Sequence, residues 1–149
     1  MSPFQFRLAT LLKLRKRARD ARREELAKAY YAQRVIEGQL EEIDQEKGAI
    51  ADAVREGLKP GVVNVDGLLG QHRRRAALDV SRADLEGKLA TVAAEVERRR
   101  QVAVEADRQV RVLEKLRDKQ QAAHQKEQQR QDIRELDEIA GRQFLAGRP

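Results

Sequence analysis

Residues 85–113, LEGKLATVAAEVERRRQVAVEADRQVRVL, decide the fold of this chain. Apolar residues recur in this stretch at gaps of four and three, with one interruption at Arg99. They are Leu85, Leu89, Val92, Val96, Ala103, Ala106, Val110 and Leu113. This spacing places a narrow apolar stripe along one side of an α-helix. A second helix must cover such a stripe, as in a coiled coil.

The covering helix is predicted in the same chain. The matching stripe consists of Ile36, Leu40, Ile43, Ile50 and Val54, with Lys47 at one expected apolar position. The sequence Lys59-Pro60-Gly61 separates the two stripes, and it interrupts a helix because proline lacks an N–H and glycine tolerates a left-handed backbone. We therefore expect an all-α fold, a two-helix antiparallel coiled-coil hairpin with unequal arms.

The expected boundaries follow from capping and turn residues. We treat residues 1–149 as one antiparallel coiled coil, with helix one at about 3–58, a turn at about 59–64, helix two at about 65–140 and a frayed tail at 141–149. Ser2 and Pro3 suit the start of helix one, and Asn64 or Asp66 suits the start of helix two. Pairing across this turn places Phe4 opposite Arg117, which leaves the end of helix two without a partner.

Composition argues against a layered fold and against catalysis. The chain has 149 residues, of which 38% are charged and only five are Phe or Tyr, a mixture typical of long helices. It has no cysteine, which excludes disulfides and thiol chemistry. We expect both His72 and His124 to be solvated, and we find no phosphate-binding glycine motif. The sequence thus predicts no enzyme, no cofactor and no metal, and no apolar stretch resembles a signal or a membrane span.

Charge is distributed unevenly along the predicted hairpin. The acidic residues between 37 and 46 face the level of Arg73, Arg74, Arg75 and Arg82, so opposite charges should meet there. A basic belt lies further from the turn, and it has one part on each predicted helix. Its cations are Lys13, Arg15, Lys16, Arg17, Arg19, Arg22 and Arg23 on helix one and Arg98, Arg99, Arg100 and Arg108 on helix two. The acidic residues that we subtract within these ranges are Asp20, Glu105 and Asp107. The belt alone is more positive than the whole chain, whose net charge is +6. It suits an acidic protein partner, while a merely solvated face, anionic lipid and nucleic acid are the alternatives.

The end of helix two carries a second signal. The glutamine-rich stretch 119–131 loses the heptad, and a short apolar stripe then returns at Ile133, Leu136, Ile139 and Phe144. A polar helix with such a stripe is marginal alone. We expect an outside partner there.

Several motifs resemble one protein family in their order and spacing. They are Phe4-x-Phe6-x-Leu8-x-x-Leu11-Leu12-x-x-Arg15, the break near residue 60, Leu113-Glu114-Lys115-Leu116 and Leu136-Asp137-Glu138-Ile139-Ala140. Over essentially its whole length the chain resembles the flagellar export protein FliJ family. The resemblance implies a non-enzymatic stalk of the flagellar type III export apparatus, similar in fold to the gamma subunit of rotary ATP synthases. Such a stalk inserts into the hexameric ring of the export ATPase FliI, promotes its ATPase activity and couples it to the export gate protein FlhA.

The resemblance also implies partners and contact residues. With the basic belt included, the expected ATPase-ring contacts are Phe4, Phe6, Leu8, Leu11, Leu12, Arg15, Arg19, Arg22, Leu113, Leu116, Asp137 and Glu138. The expected export-gate contacts are Gln39, Ile43, Ile50, Leu69, His72 and Ala76, although the family favours aromatic residues where this chain has His72 and Ala76. The implied location is cytoplasmic, at the inner face of the inner membrane. Export chaperones are further candidate partners, nucleic acid is not, and we expect a monomer when free. The alternative function is a general coiled-coil adaptor.

Overall fold

Two long helices make up almost all of the structure. The computed structural model describes residues 2–148, which form α1 (Ala9–Gly57, 49 residues) and α2 (Val65–Ala146, 82 residues). The helices pack against each other as the expected two-helix hairpin. The described residues group into two compact units, 2–21 with 104–148 and 22–103, and each unit contains parts of both helices.

The predicted stripes form the seam between the helices. All eight apolar residues of the 85–113 stripe are buried or half-buried. The most buried apolar side chains of the described chain are Leu12, Ala29, Leu40, Ile50, Leu78, Val96, Ala103 and Val110. At the interruption, Arg99 Nη1 donates a hydrogen bond to the backbone carbonyl of Glu25 at 2.7 Å. The apolar part of the arginine side chain therefore covers the seam while its guanidinium reaches a polar acceptor.

The turn is built as the sequence indicates. Residues 58–64 connect the helices, and Gly61 has φ +142°, a left-handed value that favours glycine. Asn64 Oδ1 accepts a hydrogen bond from the N–H of Gly67 at 3.0 Å. This side-chain cap satisfies an otherwise free amide and starts α2 at Val65, which confirms Asn64 as the capping residue.

The N-terminal segment differs from the expectation. Residues 2–8 are not helical, and α1 begins at Ala9 rather than near Pro3. Half-buried side chains alternate with exposed ones along this segment, the half-buried ones being Phe4, Phe6 and Leu8. Residues 7–8 form a turn, in which the carbonyl of Phe6 accepts a hydrogen bond from the N–H of Ala9 at 3.1 Å. The non-helical backbone before this turn leaves both Phe4 and Phe6 half-buried.

The residue of α2 that lies opposite Phe4 is one heptad further along the chain than expected. The centroid of the Phe4 ring lies 5.7 Å from that of the His124 ring, whereas Arg117, seven residues earlier, was the expected neighbour. The shift arises partly because residues 2–8 are not helical, so each can advance further along the hairpin than the roughly 1.5 Å of a helical residue. His124 is consequently half-buried, contrary to the expectation that it is solvated. At the other end, α2 continues through Gly141 to Ala146, since this glycine does not adopt the positive φ that would end the helix.

Candidate functional site

Opposite charges meet across the helices near the turn at two of the four predicted arginines, whereas Arg73 and Arg75 make no ion pair within residues 2–148. Arg74 binds Glu46 at 2.7 Å, and Arg82 binds Asp44. The hydrogen bond to Glu46 raises the pKa of Arg74. Lys47, the polar residue in the α1 stripe, binds Asp79 on α2, and this hydrogen bond lowers the pKa of the Asp79 carboxyl. These pairs fix the register of the 22–103 unit and leave little net charge at their level.

The basic belt is less positive than the sequence count suggested. Arg98 and Arg99 both bind Glu95, and Arg100 binds Glu97. Both acids lie just outside the counted window, so the count left out the partners of the three arginines. Further members are paired as Lys16 with Glu114, Arg19 with Asp20, Arg22 with Glu25 and Arg108 with Glu105. The uncompensated positive charge of the belt is therefore smaller than the count over residues 13–23 and 98–108 indicates.

A smaller basic surface remains at the start of α1. Between Ser2 and Arg148 neither Lys13 nor Arg17 makes an ion pair, and Arg15 donates to the neutral amide of Gln109 at 2.8 Å. The exposed side chain of Leu14 lies among them. We define Lys13, Leu14, Arg15 and Arg17 as the basic surface. It was hidden in the longer basic run, because the sequence alone does not say which cations have partners.

The apolar residues expected to contact a ring mostly hold the hairpin together. Leu12 is only 5% exposed. Five others are half-buried, namely Phe4, Phe6, Leu8, Leu113 and Leu116. Leu11 is exposed, as are Asp137 and Glu138 on the last part of α2. Of the expected cations, Arg15 and Arg22 are exposed, whereas Arg19 is largely covered.

The last part of α2 presents uncovered apolar side chains. We define Ile133, Leu136, Ile139 and Phe144 as the terminal stripe; all four are at least half exposed. Large apolar side chains gathered on one helix face and left in water are typical of a protein interaction surface. The stripe is thus the strongest candidate site in the 2–21 and 104–148 unit.

The terminal stripe does not continue the seam. Alternating gaps of three and four extend the seam from Leu113 through Arg117, Gln120 and His124. The next seam positions are Glu127, Gln131, Arg134, Glu138 and Gly141, none of which has an apolar side chain. Ile133 and Leu136 each come two residues after such a position, which is a rotation of about 200° around the helix. The stripe therefore faces away from the side of α2 along which α1 packs.

A groove lies beside the turn in the 22–103 unit. Its lining residues are Ile50, Ala51, Val54, Arg55, Leu68, Gln71, His72 and Arg75. Two of the expected gate contacts, Ile50 and His72, are brought together here. Leu69 and Ala76 are exposed and share a face of α2 with His72, being three and four residues away. Gln39 and Ile43 do not line the groove. From the sequence, Arg75 was expected only to pair with acidic residues of α1, and Arg55 was not singled out, since no sequence signal marks it.

Other functional features are limited. In the part of the chain that the structure describes, no group of three or more His, Asp or Glu side chains is placed to hold a metal ion. Neither α1 nor α2, as described over residues 2–148, is both long and apolar enough to cross a membrane.

One comparison with known proteins identifies a family. The family model described as "Flagellar FliJ protein" matches residues 4–148, nearly the whole chain. No curated protein and no solved structure gives a significant match.

Proposed function

The chain belongs to the FliJ family of flagellar proteins and is a component of the flagellar export apparatus, and on this premise we propose that it is a non-enzymatic stalk. The family is not a known family of enzymes. In this proposal the end of the hairpin formed by residues 2–21 and 104–148 enters the ring of the export ATPase FliI and promotes ATP hydrolysis. The surface beside the turn contacts the export gate protein FlhA.

The observation that carries the proposal is the phase of the terminal stripe. Ile133 and Leu136 are uncovered, and they lie on the face of α2 that is turned away from the seam. A helix that only had to lengthen the hairpin would keep its apolar residues in phase with the seam. A stripe in the opposite phase suits a partner that approaches from the other side, as the wall of a surrounding ring would.

The basic surface supports the same assignment. Lys13 and Arg17 have no ion-pair partner in residues 2–148, and they belong to the same compact unit as the terminal stripe. An uncompensated cationic face attracts an acidic surface and accelerates encounter with it. This end of the chain therefore offers both an apolar contact and an electrostatic one.

The test is stimulation of the purified export ATPase by this protein. We expect the double variant I133D/L136D to lose most of the stimulation, because each aspartate would place a charge against the ring. The matched control is V35D/V80D in the 22–103 unit, whose side chains are exposed by 43% and 72%, against 57% and 65% for Ile133 and Leu136. The control should stimulate as the unaltered protein does.

The absence of cysteine allows the contact to be located as well. A single cysteine at Leu136 should cross-link to a cysteine on the inner wall of the ring, and one at Val80, in the 22–103 unit, should react less. Equal stimulation by I133D/L136D and V35D/V80D would remove the terminal stripe from the contact. If the unaltered protein did not stimulate the ATPase at all, the stalk proposal would fail.

A further inference from the structure

We propose that the groove beside the turn binds an acidic amphipathic helix of a partner protein. The groove runs between α1 and α2 and has an apolar floor. Ile50 is buried at its base, while Val54 and Leu68 are half-buried and turn part of their surface toward solvent. An amphipathic helix places apolar side chains at i, i+3, i+4 and i+7 into such a groove.

The charged groups that line the groove are all basic. Arg55 and Arg75 line it together with His72, and no carboxylate is among its lining residues. Within residues 2–148 Arg75 and its neighbour Arg73 make no ion pair, and the charge of Arg75 acts on Asp79 only as a minor cause of the lowered pKa of that carboxyl. Arg55 is paired only with Asp52 of its own helix, at 2.8 Å, and both side chains are well exposed. This rim is complementary to carboxylates on either side of an apolar stripe.

The shape of the groove favours a helix over a lipid surface. A bilayer interface is flat on this scale, so it can reach exposed residues at the turn such as Leu58 and Val62 but cannot reach Ile50 or Val54 at the base of the groove. A helix can place single side chains on that floor. The exposed Leu69 extends the apolar surface toward the turn.

This inference depends on the proposed function only for the origin of the partner, which we place in the export apparatus. The class of ligand that the groove binds is inferred from its lining residues alone. The binding of a peptide to the groove and the stimulation of the ATPase by the other end of the chain can therefore succeed or fail separately.

The experiment measures the fluorescence anisotropy of two labelled peptides with the full-length protein. One peptide of about 14 residues has leucine at i, i+3, i+4 and i+7, glutamate at the positions beside the leucines and alanine elsewhere, and a covalent i,i+4 staple on its outer face holds it helical, because so short a chain is only marginally helical in water. The second has lysine in place of every glutamate. We expect the glutamate peptide to bind at least about tenfold more tightly than the lysine peptide, because only the former can pair with the arginines of the rim.

Two double variants of equal charge locate the binding. R55Q/R75Q should weaken the glutamate peptide about fivefold, because it removes both arginines of the rim. R130Q/R142Q removes two exposed arginines far along α2, and it should change binding less than about twofold.

A substitution of one alanine tests the apolar floor. A51F fills the groove from α1 while leaving Ile50 and Val54 in place, so it should also weaken binding of the glutamate peptide. The matched control is A53F, which adds the same ring at an exposed position of α1 that does not line the groove. Both variants should keep the helicity of the unaltered protein, and equal binding by the two would show that the floor is not occupied.

Three further results would overturn the inference. Equal binding of both peptides would show that charge does not select the ligand. Equal losses in R55Q/R75Q and R130Q/R142Q would show attraction to the net charge of the protein. Binding to vesicles with anionic lipid that depends on Arg55 and Arg75, without any peptide binding, would assign the surface to a membrane. ATPase stimulation measured on the same R55Q/R75Q protein should be unchanged, and its loss would show that the groove and the ATPase contact are not independent sites.

Discussion

The Glu95 carboxylate binds two arginines at once. Arg98 Nη2 lies 2.6 Å from Glu95 Oε1, and Arg99 Nε lies 2.7 Å from the same oxygen. Hydrogen bonds from Arg98 and then Arg99 lower the pKa of Glu95 from 4.5 to about 2. Because the folded-state pKa is depressed, this pairing stabilises the fold above the ordinary carboxyl pKa and is lost as the pH falls toward 2.

Because its folded-state pKa is lowered, Glu95 should stabilise the fold more at neutral pH than at acidic pH. The thermal midpoint of E95Q should lie below that of the unaltered protein at pH 7, and the difference should shrink between pH 4.5 and pH 2. NMR titration of the side-chain carboxyl gives the pKa directly. A Glu95 that titrates near 4.5 in the unaltered protein would contradict the assignment, and R98Q/R99Q should move the titration back toward that value.

At the scale of single residues, sequence predicted positions better than partners. Lys47 and Arg99 were recognised as polar residues at apolar seam positions, because the heptad fixes where the seam lies. Their acceptors, Asp79 and the carbonyl of Glu25, depend on rotamers and on the register across the helices. The pairing of Arg98 with Glu95 is a local i,i+3 contact, and a wider sequence window would have found it.

At the scale of a helix, the seam of α2 has one position that can be improved. R99L should raise the free energy of unfolding by about 1 kcal/mol, since leucine restores the apolar stripe at a half-buried position. The loss of the ion pair with Glu95 offsets little of this, because that pair is partly exposed. Chemical denaturation measures the change.

R98L is the matched control for that substitution. It removes the same charge one residue away, where the side chain is 64% exposed. Its free energy of unfolding should change by less than about 0.5 kcal/mol. If R98L stabilised the protein as much as R99L, the gain would come from removing positive charge rather than from filling the seam.

Periodicity explains which parts of the elements could be predicted. The 3.5-residue repeat predicted both apolar stripes, and Pro60 with Gly61 predicted the position of the turn. The start of α1 was placed too early because Ser2 and Pro3 were interpreted as helix-start residues, although the apolar period of two at Phe4, Phe6 and Leu8 does not fit helical spacing. The groove beside the turn could not be predicted, because its shape depends on how Ala51 and Leu68 meet across the two helices.

At the scale of the whole molecule, stability and partner binding are expected to reside in different residues. Deletion of residues 128–149 should change the free energy of unfolding of the hairpin by less than about 0.5 kcal/mol, because the apolar side chains removed from this region are exposed in the structure. The same deletion should abolish stimulation of the ATPase. Circular dichroism during thermal unfolding measures the first effect, and a drop of several kcal/mol would mean that the terminal stripe packs on the hairpin.

The opposite phases of the seam and the terminal stripe also limit how this chain can change in length. Between His124 and Ile133 the backbone is one continuous helix, so every inserted residue turns all that follows by about 100°. Two inserted residues would rotate the terminal stripe about the axis of α2 to the seam side, whereas seven would return it to within about 20° of its present direction. We therefore expect related chains to tolerate insertions or deletions here in lengths close to a whole number of turns, such as seven, eleven or eighteen residues, even where the glutamines themselves are freely exchanged.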